Sequence, residues 1–503
     1  MKILLAAIAS AALAFAVACG GGGMKTGGGN PPETVEVSST TEGPFSVAMS
    51  TSFQPAEWDY QFFTLNPGAT TTLNNLGSHH TRLQGISQGI PQGSQSTAST
   101  AWDFSILDAI TQPVLGVGDH SPEFQIAKGP AFMYQNDDFN NTFTDQTYAQ
   151  FAGYAQNLVR YYNTGGFVAN GQTYVSPHFP ADTVAWWGIY NEPNINNDFI
   201  NHPELYVQMY NEVVPKMQMI DPSIKFAALE LADFFGQEEA FVPTFVSGVT
   251  AQVDAMATHF YSTCNQKDSD ATVFDTIPGF VTDVNLFYTH LATNPALANV
   301  PLWVTENNVN ADFDRGGGIS ACNGTTFVDD VRGSSPFFAA WRPYVFSQLG
   351  KAGVQALYHW DFEADPQFGE IAYSNGALQL SYWVDYELGQ EFPPAAGSQL
   401  LQFMGSDDSE LETLPVINSD GSVVIMVANH AVAAPATDNN GPGVSRGVAV
   451  DVSALGTFSS GSLLIIDTDT NVSTGPVATA VIPAAQMTIT LNGYSVAFLT
   501  LKP

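Results

Sequence analysis

The stretch Val184-Ala185-Trp186-Trp187-Gly188-Ile189-Tyr190-Asn191-Glu192-Pro193-Asn194 constrains the fold more than any other. It opens as an apolar run without polar alternation, the pattern of a strand buried on both faces in a parallel sheet. The run stops at Asn191-Glu192-Pro193. The ring of a proline keeps the preceding residue out of the right-handed helical region, so Glu192 is expected extended at the strand's C-terminal lip, with Asn191 beside it. In a closed β/α barrel that lip is the face on which active sites form. Walled by Trp186, Trp187 and Tyr190, a carboxyl group there would keep its proton near neutral pH. Trp186 and Trp187 alternate faces, so one of them is expected in core or outer packing. The plainer alternative is a strand end with a solvated glutamate and a turn proline.

A second stretch has the same build. Pro301-Leu302-Trp303-Val304-Thr305-Glu306-Asn307-Asn308 is a short apolar strand with a glutamate at its end and polar residues after it. Two carboxyl groups on strand ends of one barrel face suit glycoside hydrolysis, which needs a proton donor and a second carboxylate across the bond to be cut. The chain between them is long enough for several βα units.

Taken in order, Phe45–Met49, His80–Ile86 and Ser121–Lys128 read as the first three barrel strands, and the Asn-Glu-Pro strand is the fourth. Lys225–Leu229, Val253–Tyr261, Leu302–Glu306 and Val354–Trp360 follow as strands five to eight. Segments with apolar residues at helical spacing separate most of them, such as residues 144–162 with Phe151, Tyr154, Leu158 and Tyr161. Eight strands separated by helices predict an α/β chain with a (β/α)8 TIM barrel. After residue 395 short strand-like runs such as Ser422–Val427 and Tyr494–Leu499 alternate with turn pairs such as Asp420-Gly421, predicting a C-terminal β-sandwich. The expected organisation is a signal peptide over 1–18, a flexible Gly-rich tether over 19–41, a catalytic barrel over 42–395 and a sandwich over 396–503. Glu33–Thr41 within the tether has the residues of an outlying strand.

The formal net charge of −34 argues against nucleic acid and against docking to anionic membranes. An uncharged polysaccharide suits such a surface better than an acidic one. Lys2 followed by the apolar run Ile3–Val17 reads as an export signal too short to span a bilayer. Ala16-Val17-Ala18-Cys19-Gly20 resembles a bacterial lipobox, which would make Cys19 a lipid-bearing residue and the membrane a partner only through that anchor. Ala16 departs from the usual leucine, which leaves simple release as the alternative. Cys264 and Cys322 follow two successive barrel strands, so their loops are expected to be neighbours, joined by a disulfide in an oxidising compartment. The alternative is two free buried thiols. No His or Cys spacing suggests a metal site, and no cofactor is expected.

Together these pieces resemble the clan A glycoside hydrolases, retaining enzymes on a (β/α)8 barrel. Asn191-Glu192-Pro193 matches the fourth-strand motif of that clan, whose glutamate is the acid/base. Glu306 matches the seventh-strand nucleophile, His259-Phe260-Tyr261 a His-x-Tyr at the end of strand six, and Trp360 the aromatic beneath the sugar. The trailing sandwich and Trp-Gly-x-Tyr-Asn-Glu-Pro-Asn look closest to family 39, with families 5, 30 and 51 as relatives. The resemblance implies an exported hydrolase of β-glycosidic bonds in poly- or oligosaccharides. Asn191 would hold the sugar's 2-hydroxyl, Tyr261 would hold Glu306, and Trp360 would stack on the sugar. His259 and Arg82 are further expected substrate-binding residues; the alternative for His259 is a strand cap, and Arg82 balances the acidic pocket or pairs structurally. The carboxyl groups are expected about 5–5.5 Å apart. The other reading is a glycan-binding surface lipoprotein with a barrel that does not turn over.

Overall fold

The computed structural model describes residues 33–53, 61–85, 90–94, 97–116, 121–181, 183–195, 198–232, 240–394, 397–405 and 410–503. The expected signal, Cys19 and the tether through residue 32 lie outside the described residues, as does part of the loop 87–100. Among the described residues no helix is long and apolar enough to cross a membrane.

Eight parallel strands close a barrel: β1 (Ala48–Phe53), β2 (Thr81–Gly85), β3 (Glu123–Ile126), β4 (Trp186–Ile189), β5 (Lys225–Leu231), β6 (Ala255–Thr263), β7 (Leu302–Asn310) and β8 (Ala356–His359). Each pairs with the next, and β8 closes on β1. Helices α1 (Ala149–Thr164), α2 (Pro203–Gln218), α3 (Ile277–Leu291) and α4 (Pro336–Lys351) belong to the outer ring. The first strand begins later than expected. Phe45 packs edge-on against Phe346 of α4 instead, at 5.7 Å between ring centroids.

The barrel interior is layered. At its N-terminal end Trp186 and Trp303 fill the space left by Ala48, Ala227, Ala255 and Ala356. Small residues on facing strands are what admit two indoles. The expected wall of Trp186, Trp187 and Tyr190 around Glu192 is therefore not formed. Trp186 points to the far end of the barrel, Trp187 packs outward on Phe124, and Tyr190 packs on Phe199. Strand residues of β4 alternate between inside and outside, which sends neighbouring aromatics to opposite faces. Above the tryptophans the interior turns polar, with Arg82, Gln84, Glu123, Gln125, Glu230 and His259 all buried.

The C-terminal sheet contains β9 (Gln399–Gly405), β10 (Leu411–Ile417), β11 (Val423–Asn429), β12 (Arg446–Asp451), β13 (Ser460–Ile466), β14 (Thr479–Val481), β15 (Gln486–Leu491) and β16 (Ser495–Lys502). Glu33–Pro44 is its ninth strand, antiparallel to β9 and parallel to β12. The tether expected through residue 41 is thus strand from Glu33 onward. Val35 and Val37, alternating with exposed residues, give it an apolar face buried in the sandwich core. The run Val423–Ala428 is apolar at every position because both faces are covered. Val423, Ile425 and Val427 enter the sandwich core, while Val424, Met426 and Ala428 join the larger core that the barrel and its helices share. Helix α4 is apolar nearly all round, as a helix enclosed by neighbours must be.

Candidate active site

Glu192 stands at the lip of β4, but its backbone is not extended. Tyr190 and Glu192 have φ of 70° and 49°. The proline still excludes the right-handed region, and the chain meets that restriction through the left-handed one, at a cost of roughly 1–3 kcal/mol per such residue. Two backbone bonds hold the turn: Tyr190 N–H donates to the Ile126 carbonyl and Glu192 N–H to the Glu230 carbonyl, each at 3.0 Å. On the other side of the lip, the pairing of β6 with β7 shifts by one residue between Thr258 and His259. This bulge sets His259 opposite Glu306 and aims both side chains inward.

The two glutamates and His259 converge, with one oxygen or nitrogen from each lying within 4.8 Å of the others. His259 Nδ1 is 3.0 Å from Glu192 Oε1 and 3.4 Å from Glu306 Oε2. Tyr261 donates its hydroxyl to Glu306 Oε2 at 2.9 Å, and Arg82 Nη1 donates to Glu306 Oε1 at 3.0 Å. The other Arg82 nitrogen, Nη2, donates to Asn191 Oδ1 at 2.9 Å and to Glu230. With its Oδ1 so engaged, Asn191 offers the cleft its amide N–H groups.

Burial lifts the Glu306 carboxyl above its ordinary range, against the pull of His259 and Arg82. The donors favour its ionised form: Arg82 and Tyr261 each donate to one of its oxygens, and the His259 imidazole lies 3.4 Å away. Burial and the Glu306 carboxylate hold the Tyr261 phenol protonated well above its usual range. Burial disfavours charge on His259, but Glu306, Glu192 and Glu230 outweigh it and push its pKa up to about 9. A histidine raised in this way stabilises the fold fully below its unfolded value near 6.5, and the contribution is lost as pH climbs through 9. The gap in urea midpoint between wild type and His259→Gln should therefore shrink as pH rises from 6.5 to 9. A gap that stays constant over that range would mean His259 is neutral throughout.

Of the expected site residues, Asn191, Glu192, Tyr261, Glu306 and Trp360 line one cleft of about 1200 Å³. His259 and Arg82 do not reach it. Both are fully buried beneath the lip, where Glu230 pairs with Arg82 from below and Glu306 from the cleft side. His259 pairs with Glu192 from beneath, and Arg82 pairs with Glu230 and Glu306. Glu230 and Glu123 were not anticipated from sequence. At a bulge in β5, Leu229 and Glu230 take φ of 78° and 47°, and Glu230 is buried against Arg82. Its carboxylate occupies the space that a side chain at residue 188 would fill, which requires glycine there. Burial and neighbouring Glu230 push Glu123 up to about 8, and its Oε2 accepts from the Tyr358 hydroxyl at 2.9 Å. The available signal was a glutamate inside the apolar run of β5, since a lone acid there is rarely buried without a partner.

Among the described residues, a cation could enter two groups by geometry: Glu192, His259 and Glu306, or the buried His359, Glu370 and Asp385. In each an arginine already supplies the positive charge, Arg82 on Glu306 and Arg342 on Asp385. The Cys264–Cys322 disulfide forms as expected between the loops after β6 and β7, with Cα atoms 5.9 Å apart. It closes a loop of 58 residues, so removing it with Cys264→Ser/Cys322→Ser should cost about 4 kcal/mol in chemical denaturation. An unchanged midpoint would show that the loops are held without it.

No protein-family model and no curated protein matches the sequence. The fold, in contrast, is shared with solved structures of clan A glycoside hydrolases that join the same barrel to a β-sheet domain. A β-xylosidase from Caulobacter crescentus CB15 superposes with a TM-score of 0.64 at 14% identity, covering 93% of this chain and 99% of its own. A family 30 subfamily 8 xylanase from Clostridium acetobutylicum gives 0.60 at 13%, covering 93% and 100%. A family 39 enzyme from Xanthomonas axonopodis pv. citri gives 0.61 at 14%, covering 94% and 98%. At these identities the likeness is one of fold.

Proposed function

We propose that the chain is a retaining glycoside hydrolase acting on β-linked, uncharged poly- or oligosaccharides. The observation that carries this reading is the pair of strand-end glutamates, Glu192 and Glu306, whose oxygens lie within 4.8 Å across one cleft. That spacing suits a carboxylate that attacks the sugar directly and leaves no room for a water between the two, as an inverting pair of about 6.5–9.5 Å would need. The activities of the similar structures, xylanase and β-xylosidase, favour the same chemistry.

In the first step Glu306 attacks the anomeric carbon, the glycosidic C–O bond breaks, and Glu192 gives its proton to the leaving oxygen. In the second, Glu192 takes a proton from water as the water oxygen displaces Glu306. His259 Nδ1, 3.0 Å from Glu192 Oε1, fixes the position of that carboxyl group. Arg82 and Tyr261 keep Glu306 aimed and ionised, and Trp360 at the cleft wall offers the apolar surface on which a pyranose stacks.

Export belongs to the same proposal, with residues 1–18 as signal and Cys19 as a lipid attachment point. The disulfide favours it, since such bonds persist in oxidising compartments. The deciding test is proton NMR of the first product released from a panel of aryl β-glycosides and neutral β-glycans. Retention of the anomeric configuration is expected. Inversion would overturn the double displacement, and binding of a glycan with no release from any substrate would put the non-catalytic barrel ahead.

A further inference from the structure

The loop after β7 presents an aromatic side chain to the cleft that the proposed chemistry does not use. Phe313 is 47% exposed and lines the same cleft as the glutamates. An apolar ring left in water commonly marks the end of a floppy segment, but this loop is built rigidly. Asp312 Oδ1 accepts from the backbone N–H of Phe313 at 3.1 Å and of Cys322 at 2.9 Å, and Ala321 N–H donates to the Phe313 carbonyl at 2.9 Å. Asp314 accepts from the N–H groups of Gly316, Gly318 and Ile319. The Cys264–Cys322 disulfide ties the loop to its neighbour. The ring is thus held in water at fixed position, and exposing it costs free energy that a ligand would recover.

A second exposed ring, Tyr373 at 39%, lines the cleft from the segment after β8, where it stacks at 5.9 Å on buried Phe62. Asp361, Glu363 and Asp365 line the cleft as well, next to the catalytic pair. A flat apolar ring beside carboxylate acceptors suits a sugar unit, whose faces carry C–H groups and whose edge carries hydroxyl donors. Among the described residues, the acidic side chains at the cleft outnumber its one lysine, Lys128, and disfavour a uronate. The cleft volume of about 1200 Å³ also exceeds what a single sugar would fill.

We infer that Phe313, on its disulfide-pinned loop, is a binding platform for sugar units beyond the one being cleaved, and that its ligand is an uncharged glycan chain. This rests on the hydrolase reading and extends it from bond type to chain-length preference: the enzyme selects polymer over short glycoside. The test compares wild type, Phe313→Ala and Phe313→Trp on a neutral β-glycan, on polygalacturonate and on an aryl glycoside. Binding is read separately by affinity electrophoresis in a Glu306→Gln background. Phe313→Ala should raise KM on the neutral polymer about two- to tenfold, the effect of losing one stacked ring. It should leave aryl-glycoside turnover unchanged, and Phe313→Trp should restore the polymer KM. Equal polymer binding by Phe313→Ala and its parent would overturn the platform, as would polygalacturonate binding as tightly as the neutral chain. Failure of the wild type to cleave any glycoside would count against the hydrolase reading alone, because electrophoresis still reports Phe313-dependent binding.

Discussion

Glu306→Gln lowers turnover on the order of 10⁴–10⁶-fold, the size of effect seen when the attacking group of a covalent mechanism is removed. Glutamine keeps the shape, its one oxygen can accept from Arg82 and its NH2 can donate to the Tyr261 hydroxyl oxygen, so the fold survives while the nucleophile does not. The loss should fall on all substrates alike, because the attack step is common to them. Glu192→Gln should behave differently. It should fail on substrates whose leaving group needs a proton and retain activity on aryl glycosides whose leaving group departs unaided. Azide added to Glu306→Gly should restore turnover with an inverted glycosyl azide as product, which NMR identifies. A Glu306→Gln enzyme within tenfold of wild type would remove Glu306 from the role of nucleophile.

Arg82→Met carries the largest expected loss of stability. The guanidinium is fully buried and touches Glu306, Glu230, Asn191 and Gln84. Burial opposes its charge, yet the surrounding carboxylates outweigh that and raise its pKa. Removing it leaves Glu230 and Glu306 as buried like charges with only His259 between them, a loss of about 3–5 kcal/mol in chemical denaturation. A cell-free refolding assay of Arg82→Lys separates charge from shape. Lysine restores the charge but not the paired donors that reach Glu306 and Asn191 at once, so it should recover more stability than kcat. If Arg82→Met denatures at the wild-type midpoint, the carboxylates beneath the lip are neutral and the charge balance drawn here is wrong.

What the sequence revealed and what it concealed divide along physical lines. The barrel was legible because buried parallel strands leave continuous apolar runs, and Trp186–Ile189 and Leu302–Val304 are such runs. Glu192 and Glu306 were legible because they end those runs. Alternation put Trp186 and Trp187 on opposite faces, but which face each takes was not legible. Whether Trp186 walls the cleft or plugs the far end depends on strand alternation against neighbours chosen elsewhere in the chain, here Ala227 and Ala255. The burial of His259 and Arg82 was hidden for a related reason. It follows from Glu230, whose inward aim depends on two left-handed residues at a bulge that no local motif announces. Glu33–Pro44 was legible as a strand but not as part of the sandwich, since its partners lie some four hundred residues away.

That last pairing bears on how the chain comes together in time. Synthesis delivers Glu33–Pro44 first and its partners β9 and β12 near the end. Until Arg446–Asp451 emerges, the strand has an open edge, the feature most prone to mispair with other chains. Contacts of such long sequence separation form slowly, because loop closure must precede the contacts that reward it. The sandwich is therefore a late-closing clasp around a barrel that can form earlier. A chain cut off anywhere before β12 keeps all eight barrel strands and both glutamates or loses some of them with the cut, but in every case leaves its first strand without the neighbour that shields it.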